Sequence, residues 1–175
     1  MKYWRLIGLY LLVLPFILLP ARFAYAQGFA VDFTPIELNL RPGEKYVGFV
    51  YATNQKQETA QLKVYLGDWR QTDKGDVFLK LGEEPQSLSK WMRVSPAQLT
   101  IPSGGSEKVY FEITMPEDPN LSGSYWGVFF VEGQPQSTSL ESGQAEGPTV
   151  GITSIFRFGM KVYVTIPGTE IRQAT

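Results

Sequence analysis

The sequence of 175 residues contains no histidine and no cysteine. Ser/His/Asp and Cys/His nucleophilic sites therefore cannot be assembled, and neither can zinc sites that use histidine or cysteine ligands. A secreted domain without disulfides depends on its hydrophobic core, which suits a bacterial periplasm or cell surface better than the small disulfide scaffolds of extracellular animal proteins. An enzyme would have to use carboxylates, lysine or tyrosine alone. We expect a protein that is not an enzyme, without catalytic residues, cofactor or metal.

The sequence also lacks a strong excess of either charge. Thirteen of the 16 basic residues and all 17 acidic ones follow Ala26, which leaves that part with a net charge of −4. No basic patch calls for nucleic acid or anionic lipid. After Ala26 no apolar stripe with helical spacing extends over ten or more residues. We therefore expect no nucleic-acid partner and no long helix.

Residues 1–26 are typical of a secretory signal peptide. Lys2 and Arg5 supply the positive end, Leu6–Leu19 forms the apolar run, and small residues at positions 24 and 26 suit a signal peptidase. A membrane anchor is the alternative, but a run of 14 residues interrupted by Pro15 is short for a span of about 20. We expect cleavage after Ala26, a periplasmic protein, or alternatively one at the cell surface, and no stable membrane insertion afterwards.

Short alternating segments separated by turn residues follow from Phe29 onward. Pro35 interrupts the first segment, which predicts a sheet edge or a change of sheet there, and Pro96 breaks a later one. Seven or so strands in this length predict an all-β, immunoglobulin-like antiparallel β-sandwich. We assign it to residues 27–167, and residues 168–175 to a tail or the start of a second domain.

Three segments of this pattern bear on the core and on the surface. Lys108–Met115 alternates cleanly between apolar and polar residues, and Gly123–Glu132 is nearly continuous in hydrophobicity, as a strand buried on both faces would be. Polar residues predict a surface loop over Gly82–Ser89. Trp69, Trp91 and Trp126 lie in or at the ends of predicted strands, which favours core packing over an exposed platform for sugars.

The most informative stretch is Val150–Ile166. Its even-numbered positions are apolar except Ser154, whereas the odd positions include Gly151, Arg157, Lys161 and Thr165. This period of two predicts an extended strand with one apolar face. At about 3.3 Å per residue it would span roughly 55 Å, far beyond the usual 5–6 residues. Either a bend interrupts it near Gly159, or its apolar face exceeds the needs of its own domain and completes the sheet of another protein.

The order of several motifs resembles the first domain of PapD-like periplasmic chaperones. An extended segment at Trp91–Gly104 precedes a strand, the turn Met115–Pro119 and a buried strand that starts at Gly123. A polar loop at Gly133–Pro148 and a long alternating last strand ending at Pro167 follow in the same order. The sequence differs from the family pattern in carrying Pro35 where the family has an arginine and in the register of Lys161.

The resemblance implies a pilus or fimbrial chaperone that donates alternating side chains of its last strand to an incomplete pilus subunit. Basic residues of such chaperones hold the terminal carboxylate of the subunit, and Lys161 is the nearest candidate here. The remaining partner-binding residues that the resemblance assigns are Val150, Ile152, Phe156, Phe158 and Met160.

Three functions remain open on the sequence. The first is a domain that binds a pilus, fimbrial or other secreted subunit by β-strand addition. The second is a cell-surface adhesion or cell-wall-binding module with a similar sandwich. The third is a glycosidase that works with two carboxylates about 5–9.5 Å apart.

Overall fold

The computed structural model describes residues 28–32, 34–139 and 151–169. The expected signal peptide, Val150 and the end of the chain after Thr169 lie outside this part. Within it, no helix is long and apolar enough to cross a membrane. One 3₁₀ turn spans Ser89–Trp91. The strands are β1 (Phe29–Val31), β2 (Ile36–Asn39), β3 (Lys45–Asn54), β4 (Ala60–Thr72), β5 (Gly75–Leu79), β6 (Met92–Ser95), β7 (Gln98–Ile101), β8 (Ser106–Thr114), β9 (Ser124–Gly133), β10 (Gln136–Ser139), β11 (Gly151–Ser154) and β12 (Arg157–Thr165).

Two sheets form an immunoglobulin-like sandwich, which confirms the predicted fold class. The first sheet has the order β1-β3-β8-β6, and the second has the order β2-β12-β9-β4-β5, with β7 also paired to β4. The pairs are antiparallel except β2 with β12. β10, which follows β9 in the chain, and β11, which precedes β12, pair with each other in a short separate ladder. When β1 with β2, and β6 with β7, are each counted as one interrupted strand, the two sheets contain eight strands, close to the seven or so expected.

Proline divides both interrupted strands. Pro35 separates β1, which pairs with β3 in the first sheet, from β2, which pairs with β12 in the second. Pro96 likewise separates β6, on β8, from β7, on β4. Proline cannot donate a ladder hydrogen bond, so the chain leaves one sheet at that residue and joins the other.

The core lies between the sheets, where the alternation of the sequence places it. Val109, Phe111 and Ile113 of β8 are buried, and the ring of Phe111 stacks on Phe129 of β9 with centroids 5.6 Å apart. Residues 127–131 of β9 are buried on both faces, as the continuous hydrophobicity predicted. Each fully buried side chain of this size contributes about 1.5–3 kcal/mol.

The outer face of the second sheet carries a smaller aromatic cluster, formed by Trp69, Val128 and Phe130. The ring of Phe130 fits between two strands that carry glycine: a Cβ built on Gly67 would lie 2.8 Å from the ring, and one on Gly159 3.0 Å. The rings of Phe78, on β5, and Phe130 pack edge to face with centroids 5.2 Å apart, so the β4–β5 hairpin contributes to this cluster. The cluster shields part of the outer face of the second sheet from solvent.

The tryptophans pack as expected, at least in part. Trp69 is buried, and Trp126 is half-buried and donates its indole N–H to the carbonyl oxygen of Trp69 at 2.9 Å. Trp91 is half-buried against Tyr125, with ring centroids 4.8 Å apart. None of the three presents a fully exposed ring for a sugar.

The segment 82–89 is only in part the surface loop that its polarity predicted, because four of its eight residues are exposed and four are buried. Glu84, Ser87 and Ser89 are buried together with Leu88. A fully buried carboxylate, Asp68 of β4, holds the segment: it accepts hydrogen bonds from the Gly82 N–H at 2.7 Å, the Glu84 N–H at 3.3 Å and the Ser87 hydroxyl at 2.6 Å. The polar residues therefore pair with one another inside the fold rather than with water.

Candidate protein-binding edge

The long apolar stretch is divided into β11 and β12, with Ile155 and Phe156 between them. The interruption predicted near Gly159 therefore exists, but four residues earlier along the chain. Gly159 itself lies inside β12, opposite Phe130 of β9. The carbonyl oxygen of Phe156 accepts a hydrogen bond from the N–H of Gly133, which fixes where β12 begins.

One half of β12 has an open edge. On one side β9 pairs with all of Arg157–Thr165, whereas on the other side β2 pairs only with Val162–Thr165. Among the described residues no strand pairs with this side of Arg157–Lys161. We call these five residues the open β12 edge. Unpaired main-chain groups on such an edge are a template for a further strand.

The hydrogen bonds at both ends of β12 show which peptide groups face outward. The Thr165 carbonyl oxygen accepts from Leu40 on the β2 side, whereas Phe156 and Ile166 bond on the β9 side. Peptide groups alternate in direction along a strand. The N–H and C=O groups of Arg157 and Gly159, and the N–H of Lys161, therefore point to the open side and are available to an added strand, whereas the register of β2 places the N–H of Ile36 on the Lys161 carbonyl oxygen.

Two large apolar side chains stand exposed where this edge begins. Phe156 is 52 % exposed and Ile155 is 54 % exposed. Phe156 belongs to the set that the resemblance assigns. The sequence analysis did not select Ile155, because this residue occupies an odd position, on the face that the alternation predicts to be mostly polar. The break in the strand frees both residues from the two-residue period, so both side chains are accessible together.

The other residues of the assigned set lie in different surroundings. Met160 is buried in the core of this chain, because β12 turns that face inward beside β9. Phe158 is half-buried and meets the ring of Phe29 edge-on at 5.1 Å. Ile152 lies in β11 opposite Thr138, and its side chain, like all of Val150, is outside the described residues. Of the three assigned apolar residues whose side chains are described, Phe156, Phe158 and Met160, Phe156 is therefore the one that is accessible to a partner.

Lys161 forms an ion pair within the chain. Its Nζ lies 2.6 Å from the Oδ2 of Asp76 on β5 and 3.7 Å from the centre of the Trp69 ring. Its ammonium group thus already has a carboxylate and an aromatic face as partners.

We expect Lys161→Met and Asp76→Asn each to change the free energy of unfolding by less than about 1 kcal/mol, because both side chains are partly exposed and such pairs are screened by water. Urea denaturation monitored by tryptophan fluorescence measures this. A loss of more than about 2 kcal/mol in either variant would show that the pair holds β5 in place.

Arg157, at the start of the open edge, stacks on aromatic rings. Its guanidinium carbon lies 4.6 Å from the centre of the Phe130 ring, and one of its N–H groups donates to the Tyr65 hydroxyl at 3.4 Å. That hydroxyl donates to Glu132 at 2.6 Å. Burial raises the pKa of the Tyr65 hydroxyl, and the Glu132 hydrogen bond raises it further. At neutral pH Tyr65 is therefore a hydrogen-bond donor and not a base.

The carboxylates buried in the described residues, Asp68 and Glu84, have structural partners. Asp68 holds the 82–89 segment, and Glu84 accepts a hydrogen bond from the Arg70 Nε at 2.8 Å. No group of three or more acidic side chains within the described ranges is arranged to hold a metal ion. The hydrogen bonds that Asp68 and Glu84 accept within the fold account for the burial of both carboxylates.

No model of a known protein family matches the sequence. No curated protein matches it either.

Solved structures do resemble the fold. A PapD-like domain of human CEP192 has a TM-score of 0.50 at 15 % identity, over 86 % of this chain and 93 % of that domain. A chain of the CsuC–CsuE chaperone–tip adhesion subunit complex of Acinetobacter baumannii has a TM-score of 0.47 at 14 % identity, over 81 % of this chain and 58 % of that one. The E. coli chaperone DraB has a TM-score of 0.46 at 11 % identity, over 83 % of this chain and 58 % of its own. This chain thus spans a little over half the length of those chaperone chains. The likeness to the human domain shows that the fold is PapD-like, which confirms the fold implied by the resemblance.

Proposed function

We propose that this protein is a non-enzymatic, periplasmic, chaperone-like domain that binds a pilus, fimbrial or other secreted subunit by β-strand addition. The added strand pairs with the open β12 edge, Arg157–Lys161. The observation that carries the proposal is that β2 pairs with only Val162–Thr165, so that among the described residues no strand pairs with the side of Arg157–Lys161 that faces away from β9. A secreted protein with such an edge and exposed apolar side chains beside it is suited to an extended guest.

Main-chain hydrogen bonds supply the affinity in this mode of binding, and side chains supply the register. The peptide groups of Arg157 and Gly159 and the N–H of Lys161 pair with the guest strand. Phe156 and Ile155 provide the apolar contact where the edge begins, because both are more than half exposed. We include Val150 and Ile152 in the proposed contact region, since Ile152 lies in β11, which leads directly to Ile155 and Phe156. Met160 and most of Phe158 stay in the core and fix the shape of β12.

The carboxylate-anchoring role of Lys161 remains part of the proposal only in a modified form. A guest carboxylate must compete with Asp76, whose oxygen is 2.6 Å from the Lys161 ammonium. Arg157 offers a second cation at the same edge, held by aromatic rings rather than by a close carboxylate among the described residues.

Hydrogen exchange tests the proposal directly. The tagged protein is isolated from periplasm, its copurifying guest is identified and purified, and the amide exchange of the complex is compared with that of the free protein. We expect the amides of Arg157, Gly159 and Lys161 to exchange at least about tenfold more slowly in the complex, because each becomes hydrogen-bonded. The amides of Val162–Thr165 serve as the control, since β2 and β9 already surround them. Binding without protection at the three edge amides would contradict strand addition and would favour a cell-surface module that binds through another face.

A further inference from the structure

The open β12 edge carries two charges of the kind that ordinarily hinder an added strand. Arg157 is the first residue of this edge and Lys161 the last. Charged side chains, lysine above all, are one of the features that keep free edge strands from pairing with other chains. A lysine has a flexible four-carbon stem and three N–H donors, so a free Lys161 side chain can bend to the open side and bond a carbonyl oxygen there. An edge that accepts a guest therefore needs its cations held elsewhere.

The Lys161 side chain points away from the open side of β12. Its ammonium group lies 3.7 Å from the centre of the Trp69 ring and 2.6 Å from the Asp76 carboxylate. Trp69 belongs to β4 and Asp76 to β5, and in the order of the second sheet both strands lie beyond β9. The ammonium group is thus directed across β9, on the side of β12 opposite the open one. Only 25 % of the Lys161 side chain is exposed, so these contacts cover most of it.

The Arg157 side chain is turned the same way. Its guanidinium carbon lies 4.6 Å from the centre of the Phe130 ring of β9 and 5.7 Å from that of Phe78 on β5. It also donates a hydrogen bond to the hydroxyl of Tyr65 on β4. The outward position between the two cations is Gly159, which has no side chain. The outward-facing residues of the open β12 edge therefore leave its peptide groups uncovered.

We propose that Asp76 is a positioning residue that keeps Lys161 away from the open side of β12 and so keeps this edge accessible. The inference rests on the proposed function, because it concerns access of a guest strand to the same edge. The ion pair adds to the contact with Trp69 and fixes the ammonium group before a guest arrives, so little freedom of this side chain is lost on binding. Without the Asp76 carboxylate, the ammonium group is free to bond the carbonyl oxygen of Gly159, and a guest strand then has to displace it.

Binding of an uncharged strand tests this access. The probe is a short synthetic peptide of alternating valine and threonine, with blocked ends and a fluorophore on a flexible linker, because these residues favour strands. Since the peptide has no carboxylate, competition with Asp76 for Lys161 plays no part. We expect Asp76→Asn to weaken binding at least about threefold in fluorescence anisotropy, the effect of leaving one long side chain free. Asp73→Asn is the matched control, because it removes the same charge from an exposed position of the same hairpin.

Two further variants separate the restraint of Lys161 from a general effect on the hairpin. In a Lys161→Met background, Asp76→Asn is expected to make no further difference, because no ammonium group remains to be released. Asp76→Glu keeps a carboxylate and is expected to recover most of the affinity that Asp76→Asn loses. Urea denaturation of each variant checks that the fold is intact.

The inference is overturned if Asp76→Asn binds the peptide as tightly as wild type, if Asp73→Asn loses as much affinity, or if the loss persists in the Lys161→Met background. Each of these results leaves strand addition at the open β12 edge standing. A wild-type protein that does not bind the peptide also overturns the inference, and the hydrogen-exchange experiment with the copurified guest then decides the proposed function separately.

Discussion

Asp68→Ala is expected to lower the free energy of unfolding by about 3–4 kcal/mol. The Asp68 carboxylate is fully buried and accepts three hydrogen bonds from the segment 82–89, two of them at 2.7 Å or less. A hydrogen bond to a charged group contributes about 1.5–3 kcal/mol, and its removal leaves buried N–H and O–H donors without an acceptor. Because a domain has only about 5–15 kcal/mol in total, this loss is large.

Urea denaturation measures the effect as a shift of the midpoint at constant slope. Asp73→Ala is the matched control, because Asp73 is exposed at the tip of the β4–β5 hairpin and should change stability by less than about 0.5 kcal/mol. Ser87→Ala, which removes only one of the three hydrogen bonds, is expected to fall between them at about 1–2 kcal/mol. Equal stabilities of the Asp68 and Asp73 variants would refute the anchoring role of Asp68.

Phe156→Lys is expected to leave the fold intact and to weaken guest binding at least about tenfold. The side chain is 52 % exposed, so a lysine there can reach water without disturbing the core. In the complex the phenyl ring is covered by the guest, a contribution of about 1.5–3 kcal/mol for a side chain of this size, and each 1.4 kcal/mol corresponds to a factor of ten. A buried, unpaired ammonium group would add a further cost.

Titration calorimetry with the purified guest measures the affinity, and thermal denaturation measures the fold. Leu81→Lys is the matched control, since Leu81 is 53 % exposed but lies beyond β5, away from β12. The proposed contact fails if Phe156→Lys binds the guest as tightly as Leu81→Lys does. If Phe156→Lys unfolds instead, the residue belongs to its own core, and Ile155→Lys then serves as the test of the same contact.

Several features of the fold follow from local sequence because their causes are local. Pro35 and Pro96 cannot donate ladder hydrogen bonds, so both strand interruptions could be predicted. The change of sheet at each proline follows from the pairing of the flanking strands. The alternation of Val109, Phe111 and Ile113 gives an inward face for β8, because successive side chains of a strand point to opposite sides. The absence of histidine and cysteine restricts the chemistry of the chain in any fold.

The errors of the sequence analysis arise from contacts between distant residues. The polar residues Glu84, Ser87 and Ser89 predicted a surface loop over the segment 82–89. They are buried because the segment is hydrogen-bonded to the distant Asp68. Likewise the alternation of Val150–Ile166 does not show that β12 places Met160 in the core of its own chain while Phe156 stands outside it.

Composition and periodicity by themselves determined an all-β sandwich, the breaks at its two prolines, and a last strand rich in apolar residues. Only the tertiary structure decided which edges remain open, since the extent of β1 and β2 along their neighbours depends on pairing between residues far apart in the chain. A strand's pattern describes its faces, whereas its edges are defined by main-chain hydrogen bonds that every residue type can make. For this reason the open β12 edge, on which the proposed function depends, became visible only in the folded chain.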